Sequence, residues 1–487
     1  MASGLLGALI LTGHRSGRPR LARPRRCDNH AVSLEAPELA DLPPGPRQPQ
    51  YAQALQWLAR PQQFMLRQRE RFGDVFTFDF ITGFPLVVLC DPEDVRTIFT
   101  GPAEVMHAGE ANIVLEPIVG SNSVLLLDEA RHLRERRLLL PPFHGDRMRR
   151  YGEIMDEAVE REVSTWKEGE TLSLIERMQA ITLEVIMRAV FGVDSGAEME
   201  RLRELLVRML AQTTDPGRLL AGLFFGVDSD RVVSSREAAL EPVDRELFRI
   251  IAAHREDPRL EEREDILSML LLARDEDGEP LSDAELRDEL MTLLLAGHET
   301  TASTLAWAFE RLLHEPEAMG RLVAEVRGGD GDAYTEAVIQ ETLRLRPVIP
   351  MVVRVITEPV TVGQGRFRLP AGSRVAPSIL LMHLREDIYP EPFAFRPERF
   401  LETPPGTYTW IPFGGGMRRC IGASFAQFEM RAVLRGVLGA VDLAPAGGAE
   451  RISRRAITLV PRHGGRAKVE RVLPGAERTR PRAAVAA

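Results

Sequence analysis

A glycine-rich loop that ends in one cysteine is the feature that most constrains this chain of 487 residues. The loop runs from Phe413 through three consecutive glycines to Cys420, and residues 423–438 follow it with helical spacing of apolar side chains and no proline. A thiol at the start of a helix meets unpaired N–H groups and the positive end of the helix dipole, which favour the thiolate. Glycines accept positive φ and let a flat ligand approach, and Arg418 can pair with a carboxylate on that ligand. The pattern therefore predicts a thiolate that binds iron beside a flat ligand.

This loop resembles the haem-binding loop of the cytochrome P450 family, whose pattern is Phe-x-x-Gly-x-x-x-Cys-x-Gly, usually with arginine two residues before the cysteine. Phe413, Gly416, Arg418, Cys420 and Gly422 match it. A lone cysteine in a turn is more often a small buried hydrophobe, but five matching positions disfavour that alternative. The resemblance implies that Cys420 is the axial ligand of a haem b iron, with Phe413 and Arg418 beside the haem.

A second motif, AGHETT at residues 296–301, interrupts a long and otherwise apolar helical pattern. A buried helix tolerates Glu299 and Thr300 if they face a cavity that holds water and oxygen. The Thr300 hydroxyl can bond back to the helix, and Gly297 leaves room for a flat macrocycle. The motif matches the family's oxygen-activation motif, which implies that Thr300 hydrogen-bonds dioxygen or its water and that Glu299 relays protons. A capping or surface pair is the alternative, and we expect His298 to be structural.

Glu341 and Arg344 stand three residues apart on a predicted helix, where they can form an ion pair. By itself this is a common surface pattern. Downstream, residues 397–400 resemble the family's Pro-Glu-Arg-Phe segment, which contains Arg399. The resemblance implies a buried network of Glu341, Arg344 and Arg399 that locks the helix to the segment before Cys420.

Basic residues elsewhere match the family's haem-propionate positions more loosely. His132 and Arg136 share one face of an early predicted helix, and Arg354 follows the Glu341 helix. The resemblance implies that all three bind propionates. A solvated basic helix face is the alternative for the first two.

Composition places the chain among ordinary globular proteins, with 44% hydrophobic and 27% charged residues. The net charge of −9 argues against nucleic acid as a partner. Three scattered cysteines cannot make a disulfide framework, so we expect a reducing cytoplasm. The apolar run at residues 5–11 is too short for a membrane anchor, and arginines follow it rather than precede it.

Helical periods dominate residues 91–309, and short β-like runs flank them, so the sequence predicts a mainly α fold with a minor β-sheet portion. The resemblance implies the cytochrome P450 fold, with haem between a long central helix and the helix after the cysteine loop. We expect three segments: an extension at 1–40, disordered or from a misassigned start, a single catalytic domain at 41–463, and a flexible tail at 464–487.

The resemblance implies a soluble bacterial monooxygenase that hydroxylates or epoxidises a hydrophobic small molecule, such as a fatty acid, alkane or terpenoid, with O2. NAD(P)H electrons would arrive through a separate ferredoxin or flavodoxin and its reductase, docked near Arg136, Arg137, Arg418 and Arg419 on a monomer. Two alternatives stay open: a peroxide-driven peroxygenase or rearrangement enzyme, which would not need the Glu299 relay, and a non-catalytic haem sensor. The residues expected to line the substrate pocket are apolar: Ile113, Val114, Leu115, Leu219, Leu220, Leu223, Phe224, Phe225, Val348, Ile349, Met351 and Val352.

Overall fold

The computed structural model describes residues 37–474 except 80–84, 144, 146, 193–196, 214–229 and 330. Helices make up most of the described chain. They are α1 (Gln50–Ala59), α2 (Pro61–Phe72), α3 (Pro92–Thr100), α4 (Glu116–Val119), α5 (Glu129–Leu139), α6 (Arg147–Val163), α7 (Leu174–Phe191), α8 (Ala197–Thr213), α9 (Asp230–Arg255), α10 (Ile266–Leu272), α11 (Asp283–Leu313), α12 (Pro316–Gly328), α13 (Ala333–Leu345), α14 (Ile379–His383), α15 (Glu398–Glu402) and α16 (Ala423–Ala440).

The strands form small sheets. They are β1 (Val75–Phe78), β2 (Leu86–Leu89), β3 (Met106–His107), β4 (Thr171–Ser173), β5 (Arg354–Ile356), β6 (Val360–Val362), β7 (Phe367–Leu369), β8 (Arg374–Pro377), β9 (Val441–Pro445), β10 (Ile452–Arg455), β11 (Thr458–Pro461) and β12 (Arg466–Val472). Five of them pair in the order β1-β2-β8-β5-β3, where β2 and β8 are parallel and Leu86 lies opposite Arg374. A second sheet has the order β4-β12-β9, and β6–β7 and β10–β11 are hairpins. The mainly α fold with a minor β portion is confirmed.

The long helix α11 runs through the main core. It begins with a capping box, in which the Ser282 hydroxyl accepts the Glu285 N–H while the Glu285 carboxylate accepts the Ser282 N–H. It packs along α7 and against α16. The buried face of α16 includes Phe425, whose ring meets Tyr151 of α6 edge-on with centroids 5.3 Å apart. These contacts hold the central helix and the helix after the cysteine loop in one packed body.

The C-terminal boundary predicted at residue 463 is too early. Strand β12 pairs with both β9 and β4, and its Ala467 and Val469 side chains are fully buried. The flexible tail predicted for 464–487 therefore cannot begin before residue 473, and residues 475–487 lie outside the described chain. The extension predicted for 1–40 lies outside it up to residue 36, and Leu39–Asp41 forms a 3₁₀ turn. Among the helices of the described residues, we find none with the length and apolarity to cross a membrane.

Candidate active site

The cysteine loop takes its shape from glycines that lie against α3. Gly414 and Gly416 have φ of 68° and 63°, as the sequence predicts. A Cβ at Gly416 would stand 1.8 Å from the carbonyl oxygen of Phe99, so no other residue fits there. The loop therefore packs directly against the backbone at the end of α3.

Cys420 closes this loop, with its N–H donating to the Phe413 carbonyl at 2.9 Å. Burial raises the pKa of its thiol, and the Gly422 N–H and the charges of Arg136 and Arg419 oppose that rise. Gly422 is the N-cap of α16, so the start of the helix does lower the thiol pKa as the sequence predicts, but burial outweighs this effect. A bound cation is what would hold this sulfur as a thiolate.

Several side chains of the cysteine loop and of α11 have accessible surface although they lie inside the fold, which indicates an internal space. Cys420 is exposed although its surroundings desolvate the thiol, which is the signature of a group facing a cavity rather than the outer surface. On α11, Ala296 is exposed and Thr300 is half-buried, whereas most of that helix is buried. The Thr300 hydroxyl donates to the Ala296 carbonyl at 2.5 Å, as predicted. The cysteine loop and the middle of α11 therefore both offer open surface to an interior ligand.

A cluster of two arginines and one neutral histidine supplies the other requirement of a haem, positive charge and hydrogen-bond donors for its propionates. His132, Arg354 and Arg418 line one small pocket of about 20 Å³, room for a carboxylate end and not for a macrocycle. Burial lowers the pKa of Arg354 to about 10, with Arg418 adding to the effect. Burial also lowers the pKa of His132 to about 3, with Arg418, Arg136 and Arg354 contributing. Buried guanidinium groups that repel one another are stabilised by an anion, so these residues fit a dianionic ligand.

Asp128 is a residue of this cluster that the sequence did not reveal. It accepts the N–H groups of Ala108, Gly109 and Glu110 at 2.8, 2.9 and 3.0 Å and forms an ion pair with Arg418. The Asp128 carboxylate therefore balances part of the Arg418 charge before any ligand binds. The partners come from a segment about twenty residues away, for which the sequence carries no local signal.

Arg136 has a contact that the sequence did not predict, and its role at a propionate stays a prediction. Its Nη2 donates to the carbonyl of Arg419 at 2.7 Å, next to Cys420, and the pocket that holds His132 does not include it. The two residues share a face of α5, as their spacing requires. His132 thus faces the proposed propionate pocket while Arg136 secures the cysteine loop.

The acid of the α11 motif is held by two residues from other parts of the chain. Gln179 of α7 donates to Glu299 Oε2 at 2.7 Å, and Arg455 Nη1 lies 3.3 Å from Oε1. The Arg455 side chain is 38% exposed and the Glu299 side chain 14%, so the pair links the interior to solvent. His298 is buried against α7, where its Nε2 lies 3.2 Å from the Gln179 carbonyl, consistent with a structural role.

Gly297 lies on a face of α11 that is turned to α7. A Cβ at this position would lie 3.0 Å from Cδ1 of Ile186 on α7. The missing side chain therefore makes room for helix packing, and its predicted role in admitting a flat macrocycle stays a prediction.

The predicted charge network is present and buried. Arg344 donates to both oxygens of Glu341, at 2.6 and 2.8 Å, and both side chains have no exposed surface. Arg344 also donates to the carbonyls of His383 and Pro392 at 2.9 and 2.8 Å. Arg399 Nε lies 3.3 Å from the same carboxylate. The network joins α13 to the segment that precedes the cysteine loop.

The expected substrate-lining residues differ in their surroundings. Ile113 and Val114 are 52% and 69% exposed, on a 3₁₀ helix at Glu110–Leu115. Val348 is buried, while Ile349, Met351 and Val352 are half-buried. Residues 219–225 lie outside the described chain. A cleft of about 570 Å³ has charged groups such as Arg287 in its wall, and its lining includes none of the predicted site residues.

Comparisons with known proteins agree with this geometry. A family model described as Cytochrome P450 matches residues 43–466. The chain is 40% identical over 467 residues to "Putative cytochrome P450 137" of Mycobacterium tuberculosis, covering 92% of this chain and 97% of that protein. It is 40% identical over 435 residues to "Putative cytochrome P450 135B1" of Mycobacterium bovis, covering 88% and 91%. Among solved structures it is similar to retinoic acid bound cyanobacterial CYP120A1, with a TM-score of 0.76, 25% identity and coverage of 89% and 100%. The heme domain of cytochrome P450DA gives a TM-score of 0.75, 25% identity and coverage of 90% and 99%.

Proposed function

Since the chain belongs to the cytochrome P450 family, and is therefore a haem-dependent monooxygenase that uses O2, we propose that it hydroxylates or epoxidises a hydrophobic small molecule. A bound haem supplies the iron at which one oxygen atom enters the substrate and the other becomes water. The observation that carries the proposal is Cys420, an accessible thiol in a desolvated interior position behind the glycine loop. This residue would be the axial ligand.

The residues around the proposed haem have separate tasks. Arg354 and Arg418 would neutralise the propionates, and the neutral His132 would donate a hydrogen bond to one of them. The ion pair with Asp128 fixes the direction of Arg418. Phe413 accepts the Cys420 N–H at its carbonyl, which sets the height of the sulfur in the loop. Such support holds a ligand atom in place before the cofactor binds.

Proton supply is the task we assign to Glu299 and Thr300. Glu299 Oε1 faces the half-exposed Arg455, so a proton from solvent can reach this oxygen without crossing the core. The Thr300 hydroxyl donates its hydrogen to the Ala296 carbonyl, so its oxygen lone pairs remain available as acceptors toward the cavity. It can therefore accept a hydrogen bond from an ordered water and orient that water toward the reacting oxygen.

Electrons would come from NAD(P)H through a separate ferredoxin or flavodoxin and its reductase. The support is a basic surface around the cysteine loop, where Arg419 is exposed and the Arg137 side chain is 62% exposed. Electron carriers of these classes bind through complementary charge, which raises the association rate. We place the enzyme in the cytoplasm, which agrees with its few cysteines. We also propose that it is a monomer.

The proposed substrate is a fatty acid, alkane or terpenoid. Ala296, in the middle of α11, offers accessible apolar surface. The half-buried Met351 and Val352 are also apolar. One similar solved structure holds retinoic acid, a compound of this class. Shape and apolar contact would select such ligands, with few polar anchors.

Two measurements test this proposal. Titration of the purified holoprotein with a small lipophile library should shift the haem spin state for apolar members only. Reconstitution with a ferredoxin and its reductase should then incorporate label from isotopically labelled O2 into product, dependent on NAD(P)H. If peroxide alone supports turnover as fast as the reconstituted system does, and product contains no label from O2, the peroxide-driven proposal would replace the monooxygenase one.

A further inference from the structure

Arg454 of strand β10 carries a half-buried guanidinium group that the fold leaves without an acid. Its Nε donates to the Ala456 carbonyl at 2.6 Å, and within the described chain neither of its Nη groups has a hydrogen bond or an ion pair. Burial lowers the pKa of Arg454 to about 10, and no neighbouring charge contributes to that change. A desolvated cation costs free energy unless an anion meets it. Both Nη groups are therefore available to an anionic ligand.

An aromatic ring holds this guanidinium in one place. The group lies over the Trp57 ring of α1, 5.5 Å from its centroid. Trp57 is only 2% exposed, and its ring lies 6.4 and 6.1 Å from the rings of Phe64 and Phe78, measured between centroids. Stacking on a packed ring, together with the bond from Nε, restricts the direction of Arg454. A guanidinium that is already oriented loses less entropy when its Nη groups bind a carboxylate.

The segments around Arg454 contain no acidic residue. None occurs at residues 42–69, which include α1, or at residues 451–469, which include the β10–β11 hairpin, although the chain has 71 acidic and 62 basic residues. Two other buried arginines have carboxylate partners: Arg344 pairs with Glu341, and Arg385 pairs with Asp74 and Asp387. The charge of Arg454 is thus left for a carboxylate from outside the chain.

Strand β10 connects this cation to the proposed reaction site. Successive side chains of a strand point to opposite faces, and the next residue, Arg455, lies 3.3 Å from Glu299 of α11. The turn after these two arginines carries Ile457, which is 48% exposed, and β11 then packs against α11. The apolar turn therefore follows two arginines that serve opposite faces of the hairpin, one of them toward the acid beside Thr300.

We propose that Arg454 binds the carboxylate of the substrate, and that the substrate is an elongated carboxylic acid, such as a fatty acid, rather than a neutral alkane or terpenoid. This inference rests on the proposed function and narrows it. The carboxylate would accept hydrogen bonds from both Nη groups, the apolar chain would pass Ile457, and the far end would lie beside Thr300. Because Arg454 and Glu299 are served by opposite faces of the hairpin, the oxidised carbon should be remote from the carboxyl group.

The test compares lauric and palmitic acids with their methyl esters, which lack the negative charge, in equilibrium dialysis against the purified holoprotein. We expect wild type to bind the acids more tightly than the esters. Arg454→Gln should weaken binding of the acids by about tenfold or more and leave binding of the esters unchanged, because only the acids lose a charge-assisted hydrogen bond. Arg454→Lys keeps the charge without the planar pair of donors, and should keep part of the preference.

The matched control is Arg366→Gln. Arg366 Nε also donates to a backbone carbonyl, that of Gly363 at 3.2 Å, and its guanidinium lies 5.3 Å from the centroid of the Phe367 ring. It is exposed, in the turn between β6 and β7, so its replacement should change neither acid nor ester binding. Equal losses of acid and ester in Arg454→Gln would mean that Arg454 only packs against Trp57, which would overturn the proposal. If Arg454→Gln yields no holoprotein, equal affinity of wild type for acids and esters would overturn it.

Turnover separates this inference from the proposed function. In the reconstituted system, wild type should oxidise laurate far from the carboxyl group, and Arg454→Gln should oxidise a broader set of positions. Oxidation at the carbons next to the carboxyl group would overturn the proposed orientation. Loss of the acid preference with O2-dependent turnover of apolar molecules intact would overturn only the carboxylate site. Arg454-dependent binding of the acids with no oxygen from O2 in any product would overturn only the monooxygenase proposal.

Discussion

Arg455 and Glu299, 156 residues apart in the chain, form an ion pair of 3.3 Å that links the β10–β11 hairpin to the middle of the central helix. Gln179 holds the other carboxylate oxygen from α7. The acid next to Thr300 is thus positioned from two sides, one of them open to solvent. If Glu299 relays protons as proposed, Arg455 is a positioning residue for that relay.

Replacing Arg455 by glutamine should slow turnover without changing haem content. A half-exposed ion pair is worth up to about 1 kcal/mol, which corresponds to about fivefold in rate. The solvent isotope effect on turnover should increase, because proton arrival becomes slower. Arg455→Lys is the conservative control and should recover most of the rate, whereas equal isotope effects in all three proteins would show that the pair has no part in proton delivery.

Thr300→Ala should leave haem and substrate binding nearly intact and divert electrons to peroxide or water. The hydroxyl is proposed to act after oxygen binds. Its loss should therefore change how electrons divide between product and peroxide or water, and leave the resting enzyme unchanged. Product formed per NAD(P)H consumed should fall by about tenfold or more. Thr97→Ala removes a comparable hydroxyl, which donates to the Glu93 carbonyl four residues back at 2.9 Å on α3, and should leave coupling unchanged. Unchanged coupling in Thr300→Ala would remove this residue from the proposed proton path.

Glu341→Ala or Arg344→Ala should leave little soluble holoprotein. Each change leaves a fully buried charge without its main partner, since Arg399 is the more distant member of the network, at a cost of about 3 to 5 kcal/mol. Arg245→Ala breaks the exposed Arg245–Glu241 pair on α9, with side chains 75% and 70% exposed, and should shift stability by about 0.5 kcal/mol or less. Thermal unfolding and haem content measure both effects. A near-normal melting temperature for Glu341→Ala would mean that the protein tolerates the lone arginine.

Acid should destabilise the fold through His383. This side chain is fully buried, its Nε2 accepts the Ile411 N–H at 2.9 Å, and burial lowers its pKa from 6.5 to about 3. A histidine that is neutral in the folded state and protonated in the unfolded state contributes stability above pH 6.5, and that contribution is lost as the pH falls toward 3. Denaturant unfolding at several pH values should show this slope. His383→Gln should be less stable at neutral pH but show a shallower decline, and an unchanged slope would contradict the assignment.

Local patterns explain which parts of the site the sequence predicts. The cysteine loop and the Glu341–Arg344 pair are each set by a few consecutive residues, so spacing alone brings their groups together. Arg455 and Asp128 could not be found in this way. Their partners lie on elements that only the folded chain makes neighbours, and no single-sequence signal marks such pairs.

The same reasoning explains the missed C-terminal sheet. Residues 466–472 contain arginine, lysine and glutamate, and their composition favours a flexible tail. Pairing with β9 and β4 buries Ala467 and Val469 on alternate positions, and those cross-strand contacts determine the structure more than intrinsic propensity does. The helix after the cysteine loop, in contrast, was predicted within two residues of its observed end at Ala440.

The ferrous carbonyl spectrum of Cys420→Ser tests the central claim most directly. If Cys420 is the axial thiolate, wild type should show the strongly red-shifted Soret band of a thiolate-ligated haem, and the variant should lose it. Cys90→Ser is the matched control, because Cys90 is the other described cysteine and its buried sulfur contacts the Asp74 carbonyl instead. That control should keep the band. Persistence of the red-shifted band in Cys420→Ser would contradict the account.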